Sequence, residues 1–451
     1  MDRRRFLRRA LLAGGVTVAT PLEAFARRLG FSETRLAEPV DYGPLVPIPD
    51  ETTGLTLLKL PEGFRYLSYG WAGDPLSNGG RTPVAHDGMA AFWGPNGRVR
   101  LIRNHEVTIG WLLDPALSYD SMAGGGTVTL EFDSTEGRWL SAKPSLAGTA
   151  RNCAGGQTPW GTWLTCEETL FEPSPGAGFT KKHGYVFEVP VVGRSTCEPL
   201  VSMGRFVHEA IAVDPTTGIV YETEDATSAG FYRFTPKVAG DLARGGRLEM
   251  LALAGRPNYD TRAGQRAGDR WPVTWVPIVE PDRAHYVPGD GRGVFEQGRN
   301  RGGAIFGRLE GASFGAGKIF FTATGAGDAR MGQVWEFDPR AQILRLVFES
   351  PAAATLNMPD NLCVSPRGGL VLCEDGTTQP SMHGLSLDGR IFRFAQNNII
   401  LNGQRNGLIG DFRTGEFAGA TFSPDGRWLF VNVQRPGVTV AITGPWQSGG
   451  I

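Results

Sequence analysis

The chain is 451 residues long and carries 45 Lys plus Arg against 46 Asp plus Glu, a formal net charge of −1, so no bulk field draws in nucleic acid as a specific partner. Its 63 Gly and 31 Pro supply turns for many short strands and accompany a modest helix signal. Only six His are present and no His-Glu-x-x-His occurs, which argues against a His-rich zinc centre, and no nucleophile-elbow serine is read in the chain, which argues against a serine esterase.

Met1 to Ala26 reads as a targeting segment. Asp2-Arg3-Arg4-Arg5-Phe6-Leu7-Arg8 fits a twin-arginine signal, a short apolar region follows over Ala10 to Thr20, and Ala24-Phe25-Ala26 offers a cleavage site before Arg27. The expected destination is the periplasm or the medium, reached through the twin-arginine export machinery with the protein already folded and its metal loaded. No other apolar run approaches the roughly 18 residues of a membrane span, so no stable membrane association is expected. Five Cys in an exported chain is an odd number, so at least one is free or a ligand. Residues 27–60 read as a Pro-rich lead-in, and Gly63 to Tyr69 as a strand that completes the last blade of a ring. The remainder, 61–451, reads as one domain and as a monomer.

Six segments then share one layout: a polar residue, an apolar run, a Gly-bearing turn, a second apolar run and ligand-type residues. They begin at His86-Asp87-Gly88, Asn152-Cys153-Ala154, His208-Glu209-Ala210, Arg308-Leu309-Glu310, Pro359-Asp360-Asn361 and Phe417-Ala418-Gly419. Each reads as a β-hairpin. Aligning Asn104, Cys166, Thr223, Thr322, Cys373 and Asn432 gives separations of 62, 57, 99, 51 and 59 residues. Short strands repeating at this period predict an all-β fold, a six-bladed β-propeller, with a pair of β-sandwiches as the competing architecture. The long gap, about 236–303, reads as an insertion with Trp271, Trp275, Arg283 and His285, either a cap near the channel mouth or a peripheral loop.

Hairpin geometry puts the start of one strand and the end of the next at the same edge. The expectation is that Asn104, Glu106, Cys166, Glu167, Glu209, Glu224, Asp225, Glu310, Asp360, Asn361, Glu374 and Asp375 gather at one mouth. So many carboxylates cannot share a small volume ionised and unpaired, and multivalent cations are the simplest neutralisers. Thr158 to Thr169, with Trp160-Gly161-Thr162 leading into Cys166-Glu167-Glu168, joins a thiol to two carboxylates and suits a metal. Cys153 and Cys363 read as core, Cys197 as inert, and Cys373 as core although it aligns with Cys166.

These stretches resemble the PhoX-type alkaline phosphatases: Gly73-Asp74-Pro75, Asn104-His105-Glu106, the Thr158–Glu168 block, His208-Glu209-Ala210, Arg308-Leu309-Glu310-Gly311, Pro359-Asp360-Asn361-Leu362 and Cys373-Glu374-Asp375-Gly376. The resemblance implies hydrolysis of small-molecule phosphate monoesters at a mixed cluster of Fe3+ (two ions) and Ca2+ (two or three) in the mouth of a six-bladed propeller. It implies catalytic roles for Arg308, Cys166 and Glu310, with Arg308 gripping the phosphate. Cys166, Glu209 and Glu310 would bind iron, and Asn104, Glu106, Glu167, Glu374 and Asp375 calcium or the mixed cluster. The family tends to carry a Gly-Asp-Asp-like turn where this chain has Thr223-Glu224-Asp225, so a calcium there is displaced or lost. Two other readings stay open: a calcium-dependent lactonase, which needs no Cys166, and a non-catalytic calcium-binding propeller.

Overall fold

A computed structural model describes residues 41–173, 178–284, 291–376 and 378–451. The twin-arginine segment, lead-in residues 27–40 and His285 lie outside them. The alternating apolar runs form antiparallel strands in six units. The first unit holds His86–Trp93, Val99–His105, Gly125–Asp133 and Arg138–Thr149; the second Asn152–Gln157, Thr162–Glu167 and Val186–Pro190. The third holds His208–Val213, Val220–Glu224, Phe231–Pro236 and Gly246–Leu253; the fourth Leu309–Gly315, Lys318–Ala323, Gln333–Asp338 and Ile343–Glu349. The fifth holds Pro359–Val364, Leu370–Glu374, Ser381–Leu385 and Ile391–Asn397; the sixth Phe417–Phe422, Leu429–Val433 and Val438–Thr443. The six first strands neighbour one another in chain order and the sixth returns to the first. The fold is a β-propeller. Among the described residues, no helix is long and apolar enough to cross a membrane.

The start of the described chain closes the ring. Arg65–Tyr69 pairs antiparallel with Val438–Thr443, giving the sixth unit its outer strand where the sequence places one. Leu45–Ile48 and Leu58–Pro61, within the expected lead-in, extend the fifth sheet. The 236–303 stretch departs from a plain insertion. Gly246–Leu253 is the third unit's fourth strand, and Arg270–Pro277 pairs with it and with Ile343–Glu349, fusing two sheets into one of nine strands. Trp271 packs into the core between those sheets, with Trp275 against it.

Neighbouring units are tied by buried side-chain hydrogen bonds from four of the six aligned positions. Asn104 Nδ2 donates to the carbonyls of Cys153 (3.0 Å) and Ala154 (2.7 Å), and its Oδ1 accepts from Trp163 Nε1 and Thr165 Oγ1 (2.9 Å each). Thr223 Oγ1 donates to the Glu310 carbonyl (2.7 Å), Thr322 Oγ1 to that of Asp360 (2.9 Å) and Asn432 Nδ2 to that of Asp87. Contacts at the first strands are too close for a side chain at some positions: a Cβ on Gly88 would lie 2.5 Å from Ala154 Cα, and one on Gly311 2.8 Å from Asn361 Cα.

Asn104→Ala should therefore act on stability. It strands two buried carbonyls and the Trp163 indole N–H, each at a cost of ~1–3 kcal/mol. The thermal midpoint should fall clearly below wild type; an unchanged midpoint would show that this tie contributes little.

Candidate functional site

The backbone decides which side chains reach the mouth. In all six units, the residue just past the second strand donates its amide to the carbonyl of the residue just before the first. The pairs are Glu106 to Ala85 (2.9 Å), Glu168 to Arg151 (3.0 Å), Asp225 to Val207 (3.0 Å), Thr324 to Arg308 (2.9 Å), Asp375 to Met358 (3.0 Å) and Gln434 to Glu416 (3.1 Å). Every first strand also carries a register shift at its start, a bulge that re-aims the residue there. That residue is Asp87, Cys153, Glu209, Glu310, Asp360 or Ala418.

The outcome is a ring of nine carboxyl groups, from Asp87, Glu106, Glu168, Glu209, Asp225, Glu310, Asp360, Asp375 and Glu416, around one thiol, Cys153. Cys153 Sγ and one oxygen each of Glu168 and Glu209 lie within 4.8 Å of one another. Two arginines face the ring. Arg151 Nη2 reaches Glu106 Oε1 (2.7 Å) and Glu168 Oε2 (2.5 Å). Arg308 grips Asp225 through Nε (2.9 Å) and Nη2 (3.3 Å), and its Nη2 also reaches Glu310 Oε1 (2.7 Å). Gln434 Nε2 donates to Glu106 Oε2 (2.8 Å). Ala85, Arg151, Arg308 and Met358, each directly before a first strand, have left-handed φ of 50°, 52°, 47° and 55°. Such strain in non-glycine residues gathers at functional sites.

Burial and crowding raise seven of these carboxyls above their ordinary range. Burial, then neighbouring carboxylates, raise Asp87, Glu209 and Glu310 well above it. Glu416 is raised likewise, by burial and by its hydrogen bond to Asp375. Glu168 is pushed to about 8 by burial and Glu106, and Asp360 to about 7 by burial and Asp375. Burial and the nearby Glu209 and Glu168 push the Cys153 thiol up. This arrangement fits cations: without them the carboxyls can only stay protonated, and oxygen donors beside one thiol suit hard metals with a thiolate ligand.

The structure divides the sequence candidates. Glu106, Glu209, Asp225, Glu310, Asp360 and Asp375 come together with Arg308, while Asn361 Oδ1 accepts from Ala420 N (3.2 Å). Asn104 does not, being saturated by its four ties. Glu167 turns into the sheet, where Oε1 accepts from Ala150 N (2.8 Å) and His183 Nδ1 (2.6 Å) and Oε2 from Gly184 N (2.8 Å). Glu374 does the same with Asn357 N (2.8 Å), His383 Nε2 (2.9 Å) and Ser381 N (2.8 Å). Glu224 Oε2 accepts from Gly230 N (2.8 Å) and Tyr232 Oη (2.7 Å). Cys166 is fully buried in the apolar cluster of Leu164, Val186, Met203 and Phe206, at the position aligned with Asn104.

Both thiols lie in this one buried cluster, as core residues, and Cys153 is in addition the one whose sulfur meets carboxylates. Asp87, Arg151 and Glu416 also join the site without having been expected there, and Glu168, expected only as part of the Cys166-Glu167-Glu168 stretch, joins it in place of Glu167. A signal existed. Glu168 lies two residues past aligned Cys166, as Glu106 lies two past Asn104, Asp225 two past Thr223 and Asp375 two past Cys373. The stretch Gly311-Ala312-Ser313-Phe314-Gly315 spells Gly-x-Ser-x-Gly, but it runs within a β-strand, not a strand-to-helix elbow.

A sequence profile of the family "Alkaline phosphatase PhoX" matches residues 40–145 and 140–437. Among solved structures, Pseudomonas fluorescens PhoX in complex with vanadate, a transition state analogue, is similar at 18% identity and a TM-score of 0.64, over 91% of this chain and 99% of that one. The gluconolactonase XC5397 from Xanthomonas campestris is similar at 13% identity and a TM-score of 0.40, over 89% and 98%. No curated protein matches the chain.

The raised carboxyls set a pH dependence for the metal-free protein. The folded state holds protons that the unfolded state has released, over a window from the ordinary carboxyl range to about 8, where Glu168 ionises. Stability should be highest at the acidic end of this window and fall as pH rises through it. Thermal unfolding of chelator-stripped protein between pH 5 and 9 checks this; a midpoint that climbs across the window contradicts it.

Proposed function

Because the chain belongs to the PhoX alkaline phosphatase family, we propose that it is an exported, metal-dependent phosphomonoesterase whose chemistry takes place at the ring of nine carboxyl groups. The observation that carries this reading is the meeting of Cys153, Glu168 and Glu209 within 4.8 Å, flanked by Arg151 and Arg308. The likeness to a protein solved with a transition state analogue of phosphoryl transfer supports it.

The ring has two chemically distinct halves. The second to fourth units contribute the thiol, both arginines, Glu168, Glu209, Asp225 and Glu310. The fifth, sixth and first contribute mainly oxygen and amide donors, Asp360, Asp375, Glu416, Gln434, Asp87 and Glu106, with Arg435 acting on Glu106. Cys153 with Glu168, Glu209 and Glu310 would hold Fe3+, and the oxygen-rich half suits Ca2+, which accepts six to eight oxygens flexibly. Bound there, such cations neutralise a phosphate dianion and supply Lewis acidity to its hydrolysis.

The chain's own residues do the rest. Arg308 is 38% exposed while its partner Glu310 is 3% exposed, so the guanidinium is the part that substrate can reach. Its planar fork can hold two phosphate oxygens, and its left-handed backbone fixes the direction from which it does so. Burial of the carboxyls keeps water away from them and strengthens their hold on any cation. Export in folded form agrees with a site assembled from all six units, since the whole of it exists only once the ring closes. Small phosphate monoesters are the substrates this mouth would admit.

Elemental analysis of the folded, exported protein, with hydrolysis of a chromogenic phosphomonoester with and without calcium chelation, tests the reading. Iron plus calcium with chelation-sensitive turnover is expected; calcium alone without turnover would point to a lactonase or a binding protein instead. Cys153→Ser should lose iron and activity while Cys166→Ser keeps both, and the reverse pattern would return the ligand role to Cys166. Arg308→Lys should keep its metals and lose kcat/KM roughly tenfold, about the worth of one charge-assisted hydrogen bond.

A further inference from the structure

Arg151 occupies in the second unit the place that Arg308 occupies in the fourth. Each directly precedes a first strand, each is left-handed, and each accepts at its carbonyl the amide of the residue ending the unit's second strand. Each is a little over one-third exposed, 37% and 38%. Each spans two carboxylates: Glu106 and Glu168 for Arg151, Asp225 and Glu310 for Arg308. The third unit stands between them with Val207 at the equivalent position, and supplies Glu209.

A single surface arginine paired with an acid needs no special account. Ala85 and Met358 share the left-handed backbone at this position, so the frame sets the conformation; what sets the second and fourth units apart is that each places an arginine there, one on either side of the Cys153–Glu168–Glu209 cluster. Resting on the phosphatase reading above, we infer that Arg151 is a second substrate-binding residue, which holds phosphate oxygen from the side of the cluster opposite Arg308. The class of ligand is a phosphate monoester dianion or inorganic phosphate, whose peripheral oxygens outnumber what one fork can satisfy. Pairing with Glu106 and Glu168 keeps the guanidinium aimed and charged until substrate arrives.

The test uses the metal-loaded full chain, inorganic phosphate as competitive inhibitor and a chromogenic phosphomonoester as substrate. Arg151→Gln should raise both the Ki for phosphate and KM roughly tenfold or more, the loss of a charge-assisted hydrogen bond, with iron and calcium per chain unchanged. Arg151→Lys keeps the positive charge that Glu106 and Glu168 face, so it folds even if the Gln variant does not; lacking the fork, it should still raise Ki and KM. Variants with wild-type Ki and KM would overturn the inference while wild-type turnover still stood. So would loss of metal in Arg151→Gln with full recovery of metal and KM in Arg151→Lys, which would make Arg151 a counter-charge only. A wild-type protein that neither hydrolyses the ester nor binds phosphate would instead defeat the phosphatase reading itself, and this inference with it.

Discussion

Nine carboxyl groups share one mouth, and everything around them is arranged to hold like charges where they repel. Moving them out of water and next to one another favours their protonated forms, which is why Glu168 and Asp360 titrate near neutrality. A fold that tolerates this must fix the groups from behind. It does so with backbone: an amide-to-carbonyl bond in each unit and a bulge in each first strand, neither of which depends on side-chain charge.

Repetition builds the frame and substitution makes it chemically directional. The same three positions recur in all six units, yet they carry Arg151, Cys153 and Glu168 in the second and Glu416, Ala418 and Gln434 in the sixth. The thiol, Arg151 and Arg308 fall on one side, mainly oxygen and amide donors on the other. A closed ring of near-identical parts can therefore offer two environments a short distance apart, one suited to a thiolate-bound metal and an anionic substrate, the other to an oxygen-bound cation. The inter-unit ties keep the two halves in register: Thr223 and Thr322 each hold the carbonyl of the next unit's acidic residue, so each unit positions its neighbour's ligand.

Buried acids that do no chemistry are part of the same design. Glu167, Glu224 and Glu374 end their second strands and accept backbone or side-chain donors from the loops that follow. Each stands one residue before a mouth carboxylate: Glu168, Asp225 and Asp375. Anchoring the first acid to the loop limits the freedom of the second, a supporting shell of the kind that precise sites need. His183 extends this shell, bonding Glu167 through Nδ1 and lying 3.4 Å from Asp120 through Nε2.

The sequence by itself determined the all-β propeller, the hairpin repeat, the closing strand near residue 65 and the convergence of acids on one edge, because strand alternation and Gly-bearing turns are local and recur. It also pointed to Glu106, Glu209, Asp225, Glu310, Asp360 and Asp375 as residues of one mouth, with Arg308 beside Glu310. It did not distinguish Cys153 from Cys166, or Glu168 from Glu167. Side chains alternate faces along a strand with a period of two, so a slip of one residue moves a group from the mouth to the space between units. The bulge that settles this is a pairing between strands, and no single strand records it. Asn104 and Thr223 tie units together, yet in sequence they resemble ligands, because hydrogen-bonding side chains at a strand end look alike whether they face a carbonyl or a cation. Likewise, that Gly246–Leu253 completes a sheet and Arg270–Pro277 fuses two became visible only in the folded chain, where edge strands find partners far away in sequence.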